Sequence, residues 1–273
     1  MTVLSAPAGG LTRIARDAGS LAWRNLLNIR RTPGSLLASI VQPVMFVVLL
    51  AYVFGGSLGG PAYREYILAG IFVQTVTFNA SFTTIGLAND LQKGLVDRFR
   101  ALPMSRLAVI LGRTSSDLTT SVLSLLVTTV CGLAIGWRIR GSVLDAVAAY
   151  LLVLLFAFAM SWVGAYIGLV APSVEVAQSL GLIWLFPVTF ISTNFASVVA
   201  MPEPLGSIAA WSPISAVSTS VRHLFGNPAP AGLPQPDGWP AQHAPLYAVL
   251  CCVGLIAVFM TLAVHRYRRV ASR

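Results

Sequence analysis

Asn89-Asp-Leu-Gln-Lys-Gly-Leu-Val-Asp-Arg-Phe-Arg-Ala-Leu-Pro-Met-Ser-Arg106 stands between two long apolar stretches, and its charge decides how they are read. Charged residues make up 10 % of the 273-residue chain, against about 25 % in ordinary soluble domains. Asp90, Lys93, Asp97, Arg98, Arg100 and Arg106 all fall in this one window. Apolar side chains make up 56 % of the sequence. Several uncharged runs reach the roughly 20 residues that a helix needs to cross about 30 Å of hydrocarbon. A chain built this way concentrates charge where it must meet water. The apolar runs are continuous and lack the alternation of barrel strands, which predicts helices. The expected fold is all-α, an integral membrane protein.

Six spans are expected, at about 35–54, 66–88, 118–136, 146–170, 179–199 and 245–264, all in one transmembrane domain over 1–273. Basic residues set the orientation. Arg13, Arg16, Arg24, Arg30 and Arg31 precede the first span, and Lys93, Arg98, Arg100, Arg106 and Arg113 join the second to the third. Arg266, Arg268, Arg269 and Arg273 follow the last. With both termini cytoplasmic, fourteen of the 18 basic residues lie inside, as the positive-inside rule favours. Arg64, Arg138, Arg140 and Arg222 are then outside. The stretch 205–221 is moderately apolar, but it contains Pro213 and would give an odd span count. It reads as an external re-entrant or helical hairpin before the last span, within an external loop over 200–244. That loop is rich in proline.

Before the first span, Leu11, Ile14, Ala18, Leu21, Ala22 and Leu26 recur at helical spacing, with Arg13, Arg16, Asp17, Ser20 and Arg24 between them. This predicts a basic amphipathic helix over 11–31, lying in the headgroup layer of membrane lipid. No apolar core of a cleavable signal peptide precedes the first span. Cys131, Cys251 and Cys252 lie in apolar runs and fit no disulfide, zinc or redox spacing. The net charge of +9 gathers at span ends, which speaks for a membrane surface and not for nucleic acid. The pairs Gly132/Gly136 and Gly164/Gly168 predict close helix packing.

In the opening stretch, Leu95, Phe99 and Leu102 share one helical face, while Asp97, Arg98 and Arg100 point elsewhere. Gly94 can break the preceding helix, and Pro103 stops the new one. A short amphipathic helix within a loop over 89–106 follows, with a charged topology loop as the plainer alternative. Uncharged polar residues form stripes at Gln74, Thr77, Ser81 and Thr84, and at Ser116, Thr120, Ser124 and Thr128. They can line a path for an amphiphile or bond across packed helices. Gln42, Gln74, Asn79 and Asn194 are the candidate path residues. The spans are almost free of ionisable groups, which disfavours both a proton-coupled carrier and a membrane enzyme.

The string from Asp90 through Gly94-Leu-Val-Asp-Arg-Phe-Arg-Ala-Leu-Pro-Met-Ser-Arg106 into Leu111-Gly112-Arg113 and Asp117 resembles the first cytoplasmic loop of type-2 ABC-transporter permeases. The daunorubicin-resistance permease family is the nearest likeness. Trp211-Ser-Pro-Ile214 and Val221-Arg-His-Leu224 extend the resemblance over most of the chain. It implies that the loop is a coupling helix docking on a separate cytoplasmic ABC ATPase subunit. Asp90, Gly94, Asp97, Arg98, Phe99, Arg100, Leu102 and Pro103 would be the contacts. It also implies a second permease chain and export of a drug, antibiotic or lipid across the plasma membrane. A permease for polysaccharide or lipid-linked glycan, or an ATP-independent carrier, is the alternative.

The sequence has no Gly-x-x-x-x-Gly-Lys-Ser/Thr loop, and its one lysine, Lys93, does not follow a glycine. ATP and magnesium are therefore expected on the partner, with no cofactor, metal or catalytic residue on this chain. Replacing Phe99 and Leu102 by Asp is expected to leave membrane insertion intact and to uncouple the partner's ATP hydrolysis from transport. Parallel assays of ATPase stimulation and vesicle uptake check this.

Overall fold

The computed structural model describes residues 33–54, 60–93, 106–197, 199, 201–230 and 238–270. The expected leader helix over 11–31, the loop positions 94–105 and much of the proline-rich stretch near 231–237 lie outside them. Every regular element among the described residues is helical. Helix α1 (Pro33–Val48) continues into a π-helical turn, Leu49–Phe54. It is followed by α2 (Gly60–Gln92), α3 (Arg106–Ala134), α4 (Val143–Val170), α5 (Val174–Ile183) and α6 (Leu185–Phe190). Then come α7 (Leu205–Ala210), α8 (Pro213–Phe225), the short α9 (Trp239–Gln242) and α10 (Ala244–Val270).

Among the described residues, four helices are long and apolar enough to cross a membrane: Ala62–Gln92, Asp117–Ala134, Val143–Val170 and Ala244–Tyr267. Ser39–Val53 and Val174–Phe190 are shorter apolar helices. Five of the expected spans coincide with helices. The one at 179–199 does not. Its helix is interrupted at Trp184 and ends at Phe190, and 191–197 is irregular. The reason is local. Pro187 has no N–H to continue the ladder. Beyond it, the Ser192 hydroxyl donates to the Thr189 carbonyl and accepts from the Asn194 N–H, a turn that competes with helix. The expected hairpin at 205–221 is two short helices, with Pro213 in the first turn of α8, where its missing N–H costs nothing.

Helix α2 is the central post. It is the least apolar of the long helices, yet it is almost wholly buried, while α10 is mostly exposed. Polar residues in a helix that would otherwise face hydrocarbon are placed against protein instead. Its principal neighbour is α4. A Cβ at Gly164 would stand 2.4 Å from the Ala80 carbonyl oxygen, and one at Gly168 would stand 2.6 Å from that of Thr84. Glycine at both sites lets the two backbones touch, and Thr84 uses the contact to donate to the Gly164 carbonyl at 3.0 Å. This pair packs within the chain, as expected.

Gly132/Gly136 does not form a similar seam. Gly136, at φ 97°, stops α3 by letting the Trp137 N–H reach back to the Gly132 carbonyl at 2.9 Å, a left-handed helix stop. The stop delivers Trp137 into a buried aromatic cluster with Phe72 and Phe225, which Tyr150 flanks. The indole N–H donates to Asn227 Oδ1 at 2.9 Å. Helix α4 then begins at a capping box in which Ser142 and Asp145 each bond the other's backbone N–H. Nearby, Arg140 donates to both carboxylate oxygens of Glu65, at 2.6 and 3.0 Å, and those bonds raise its pKa above the ordinary guanidinium value.

Gly164→Ala is expected to cost about 1–3 kcal/mol by overpacking against the α2 backbone. Gly254, with nothing within 4 Å of its Cβ position, should accept alanine without loss. Thermal midpoints of the purified variants in detergent check both.

Candidate functional site

Helices α2 and α3 bracket the charged stretch, and their ends beside it are tied by charge. Arg113 of α3 reaches Asp90 of α2 at 3.7 Å and its own-helix neighbour Asp117 at 3.5 Å. It also donates to the Phe82 carbonyl at 3.3 Å. Thr83 of α2 donates to the other Asp117 oxygen at 2.8 Å. A Cβ at Gly86 would stand 1.8 Å from Arg113 Nη2, so the missing side chain at Gly86 leaves the channel that the guanidinium crosses. Two carboxylates thus share one arginine, and the second carboxylate is held to α2 through a hydroxyl.

Of the predicted coupling residues, Asp90 is in the clasp. Gly94, Asp97, Arg98, Phe99, Arg100, Leu102 and Pro103 lie outside the described residues. Arg113, Asp117 and Thr83 were not singled out as partners of Asp90. The i, i+4 spacing of Arg113 and Asp117 on a single helix was the signal available for two of them.

The predicted path residues divide. Gln42 is half-buried on α1, just before Pro43. Asn79 ties three helices: its amide donates to Ser121 and Ser124, both at 3.4 Å, and Ser124 donates to the Ser39 carbonyl at 3.2 Å. That is a structural role. Four hydroxyls of the stripes are likewise spent on backbone. Thr77 donates to the Val73 carbonyl, Ser81 to Phe78, Thr84 to Ala80 and Thr128 to Ser124.

Gln74 and Asn194 differ. Both Gln74 side-chain atoms are buried without a partner among the described residues, and so is Asn194 Nδ2. An amide left this way costs roughly 1–3 kcal/mol. Asn194 sits in the irregular stretch after α6. Its Oδ1 accepts from the Ser218 hydroxyl of α8.

The most informative residue that the sequence reading did not name as a site residue is Arg222. Counted among the external charges, it is in fact 5 % exposed within α8. Its guanidinium donates to the carbonyls of Tyr66 at 3.1 Å and Asn194 at 3.0 Å, and to that of Thr193. The guanidinium carbon lies 3.8 Å from the centre of the Tyr66 ring. No carboxylate of a described residue pairs with it. Tyr63 and Tyr66 hydroxyls donate to the Phe195 and Thr193 carbonyls, and Ser215 accepts from the Thr193 N–H at 2.9 Å. The irregular stretch is therefore held from two sides, by α2 and α8. A lone arginine two residues beyond the serine-rich run Ser212–Ser220 was the sequence signal for this.

Among the described residues no group of histidine, cysteine or acidic side chains could hold a metal. The three cysteines carry free thiols, with Cys252 buried.

The ABC-2 type transporter family profile matches residues 17–225. The chain is similar to the daunorubicin resistance ABC transporter permease protein DrrB1 of Streptomyces coeruleorubidus, at 31 % identity over 249 residues, covering 90 % of this chain and 84 % of the relative. It is 24 % identical over 220 residues to the putative transport permease ycf38 of Porphyra purpurea, covering 78 % and 75 %. It is 28 % identical over 147 residues to the doxorubicin resistance ABC transporter permease protein DrrB of Mycobacterium tuberculosis, covering 50 % and 51 %.

Removing the cation from the clasp, as in Arg113→Ala, is expected to cost about 3 kcal/mol, because two partly buried carboxylates lose their counter-charge. Adding Asp117→Asn to that variant should recover part of the loss. Thermal melts of the single and double variants check this.

Proposed function

The chain belongs to the ABC-2 type transporter family, and on that premise we propose that it is the membrane-spanning permease subunit of an ATP-driven exporter. The observation that carries this reading is the clasp. Asp90, Arg113, Asp117 and Thr83 lock the two helix ends that enter and leave the charged loop, so force on the loop reaches the central helix directly. ATP and magnesium belong to a separate cytoplasmic ABC ATPase subunit. The loop residues Gly94, Asp97, Arg98, Phe99, Arg100, Leu102 and Pro103 dock on that subunit, apolar knobs giving hold and charges giving register.

In this reading α1 with its π turn, α2, α3, α4, α5–α6 and α10 cross the plasma membrane as six spans, with both termini cytoplasmic. The α7–α8 hairpin enters from outside. Two permease chains and two ATPase chains make the working unit. The apolar flanks of α1, α4, α6 and α10 meet lipid or the second permease. Nucleotide drives transport only by binding one arrangement of the spans better than the other. The cargo is a hydrophobic or amphiphilic compound. Similarity to permeases named for daunorubicin and doxorubicin resistance supports an aromatic drug-like molecule.

Inverted membrane vesicles containing the permease and its ABC ATPase are expected to accumulate doxorubicin when ATP is added. Vesicles with either chain alone should not. Uptake by the permease alone, driven by an ion gradient, would overturn the proposal.

A further inference from the structure

Along α2, between the clasp and the arginine-held break, several polar groups have no use in the fold. Packing fixes an antiparallel register between α2 and the α5–α6 limb. Gly181 lies against Ser81, whose Cβ is 3.5 Å from the glycine's Cβ position. The Phe78 and Phe186 rings meet edge-on at 5.2 Å. Gly70 lies directly beneath the Asn194 backbone. Residues 70, 74, 78 and 81 recur at helical spacing and share this face. Gln74 is therefore one turn, about 6 Å along the axis, from the contacts on either side, and the register sets it opposite the turn that carries Thr189 and Phe190.

Three side chains here carry four polar atoms without a partner among the described residues. These are Gln74 Nε2 and Oε1, Thr189 Oγ1 and Asn194 Nδ2. Gln74 is 1 % exposed, and Thr189 and Asn194 are fully buried. Together they offer donors and an acceptor with no net charge. Arg222, the cation tied to this wall, donates to backbone carbonyls. Phe78, Phe186, Phe190 and Phe195 form a row of touching rings along the same limb.

We infer that Gln74, Thr189 and Asn194 form a binding subsite for an uncharged carbonyl or hydroxyl group of a flat amphiphilic cargo. The inference rests on the export reading and gives its cargo a chemistry. A carbonyl or hydroxyl leaves water for an apolar interior only where hydrogen bonds replace those it loses. The amides and the hydroxyl supply replacements of both polarities, and the aromatic row supplies stacking surface. A charged group finds no counter-charge in this set. The Arg222 bonds hold Asn194 in place, which makes Arg222 a positioning residue.

The test measures equilibrium binding to the full permease with its ATPase, reconstituted in nanodiscs. Doxorubicin, which is rich in carbonyls and hydroxyls, is one probe. Tetraphenylphosphonium, which can neither donate nor accept a hydrogen bond, is the other. Gln74→Leu and Thr189→Val are expected to raise the doxorubicin Kd about three- to tenfold each, the loss of one net hydrogen bond. Tetraphenylphosphonium binding should not change. The thermal midpoint of Gln74→Leu should equal or exceed that of the wild type, because the buried unpartnered amide is gone.

Three results overturn the inference: a wild type that does not bind doxorubicin, a doxorubicin Kd unmoved by both substitutions, or equal weakening of both probes, which marks a structural role or a site for water alone. Vesicle uptake separates the two ideas. ATP-driven doxorubicin uptake with a Kd indifferent to Gln74 and Thr189 sinks the subsite alone. A Gln74-dependent Kd without ATP-driven uptake sinks the export reading alone.

Discussion

A helix that unwinds among apolar neighbours exposes carbonyls that water cannot reach, and each must find a donor inside the protein. The stretch 191–197 creates this demand, and much of the architecture answers it. Arg222 from α8 and the hydroxyls of Tyr63 and Tyr66 from α2 supply the donors. Because the break needs both helices, the α7–α8 hairpin cannot be a loose external loop. It is packed into the bundle, with Ile214, Val217, Val221 and Phe225 in the core. The short helices, the buried arginine and the position of α2 follow from one unmet set of backbone groups.

The same constraint explains why the most polar long helix is the most buried. In water a polar helix face turns outward. In hydrocarbon it turns toward protein. Helix α2 carries Gln74, Thr75, Thr77, Asn79, Ser81, Thr83 and Thr84, all buried, and it is enclosed by α3, α4, α5 and α8. Thr77, Ser81 and Thr84 bond to backbone, while Asn79 and Thr83 bond to side chains of α3. Gln74 does neither, and the unpartnered side-chain atoms of Thr189 and Asn194 lie on the limb that packs against the same face of α2.

Much of this could be read from the chain, and the failures have physical causes. Length and apolarity alone locate α1 to α4 and α10. The α6 end escaped because hydropathy over 179–199 stays high, while its geometry is decided by Pro187 and by a serine hydroxyl bonding its own backbone. Arg222 was counted with the external charges, and a count of charges by side says nothing of burial; only the three-dimensional fold shows the carbonyls it meets. Asn79 and Gln74 look alike in sequence, two amides one or two turns apart on a single helix. One is satisfied by serines of α3 and the other is not, a difference set by a neighbouring helix far away in the chain. The loop residues carried the clearest message about partners. Of the coupling residues named among them, Asp90 is the one that falls within the described residues.

The glycine-mediated contact between α2 and α4 has a mechanical consequence. Backbones that touch at two successive turns cannot slide past each other without lifting apart, so the two helices must tilt together. Helix α2 has 33 residues, about 50 Å of rigid rod. A tilt of about 5° around those contacts would move the clasp end by roughly 1 Å and the far end by roughly 3 Å, on the scale of the helix shifts that switch packed proteins between states. The rod joins the Asp90–Arg113 clasp at one end to the Tyr66 contacts of the break near the other. It is a lever whose fulcrum is a pair of missing methyl groups.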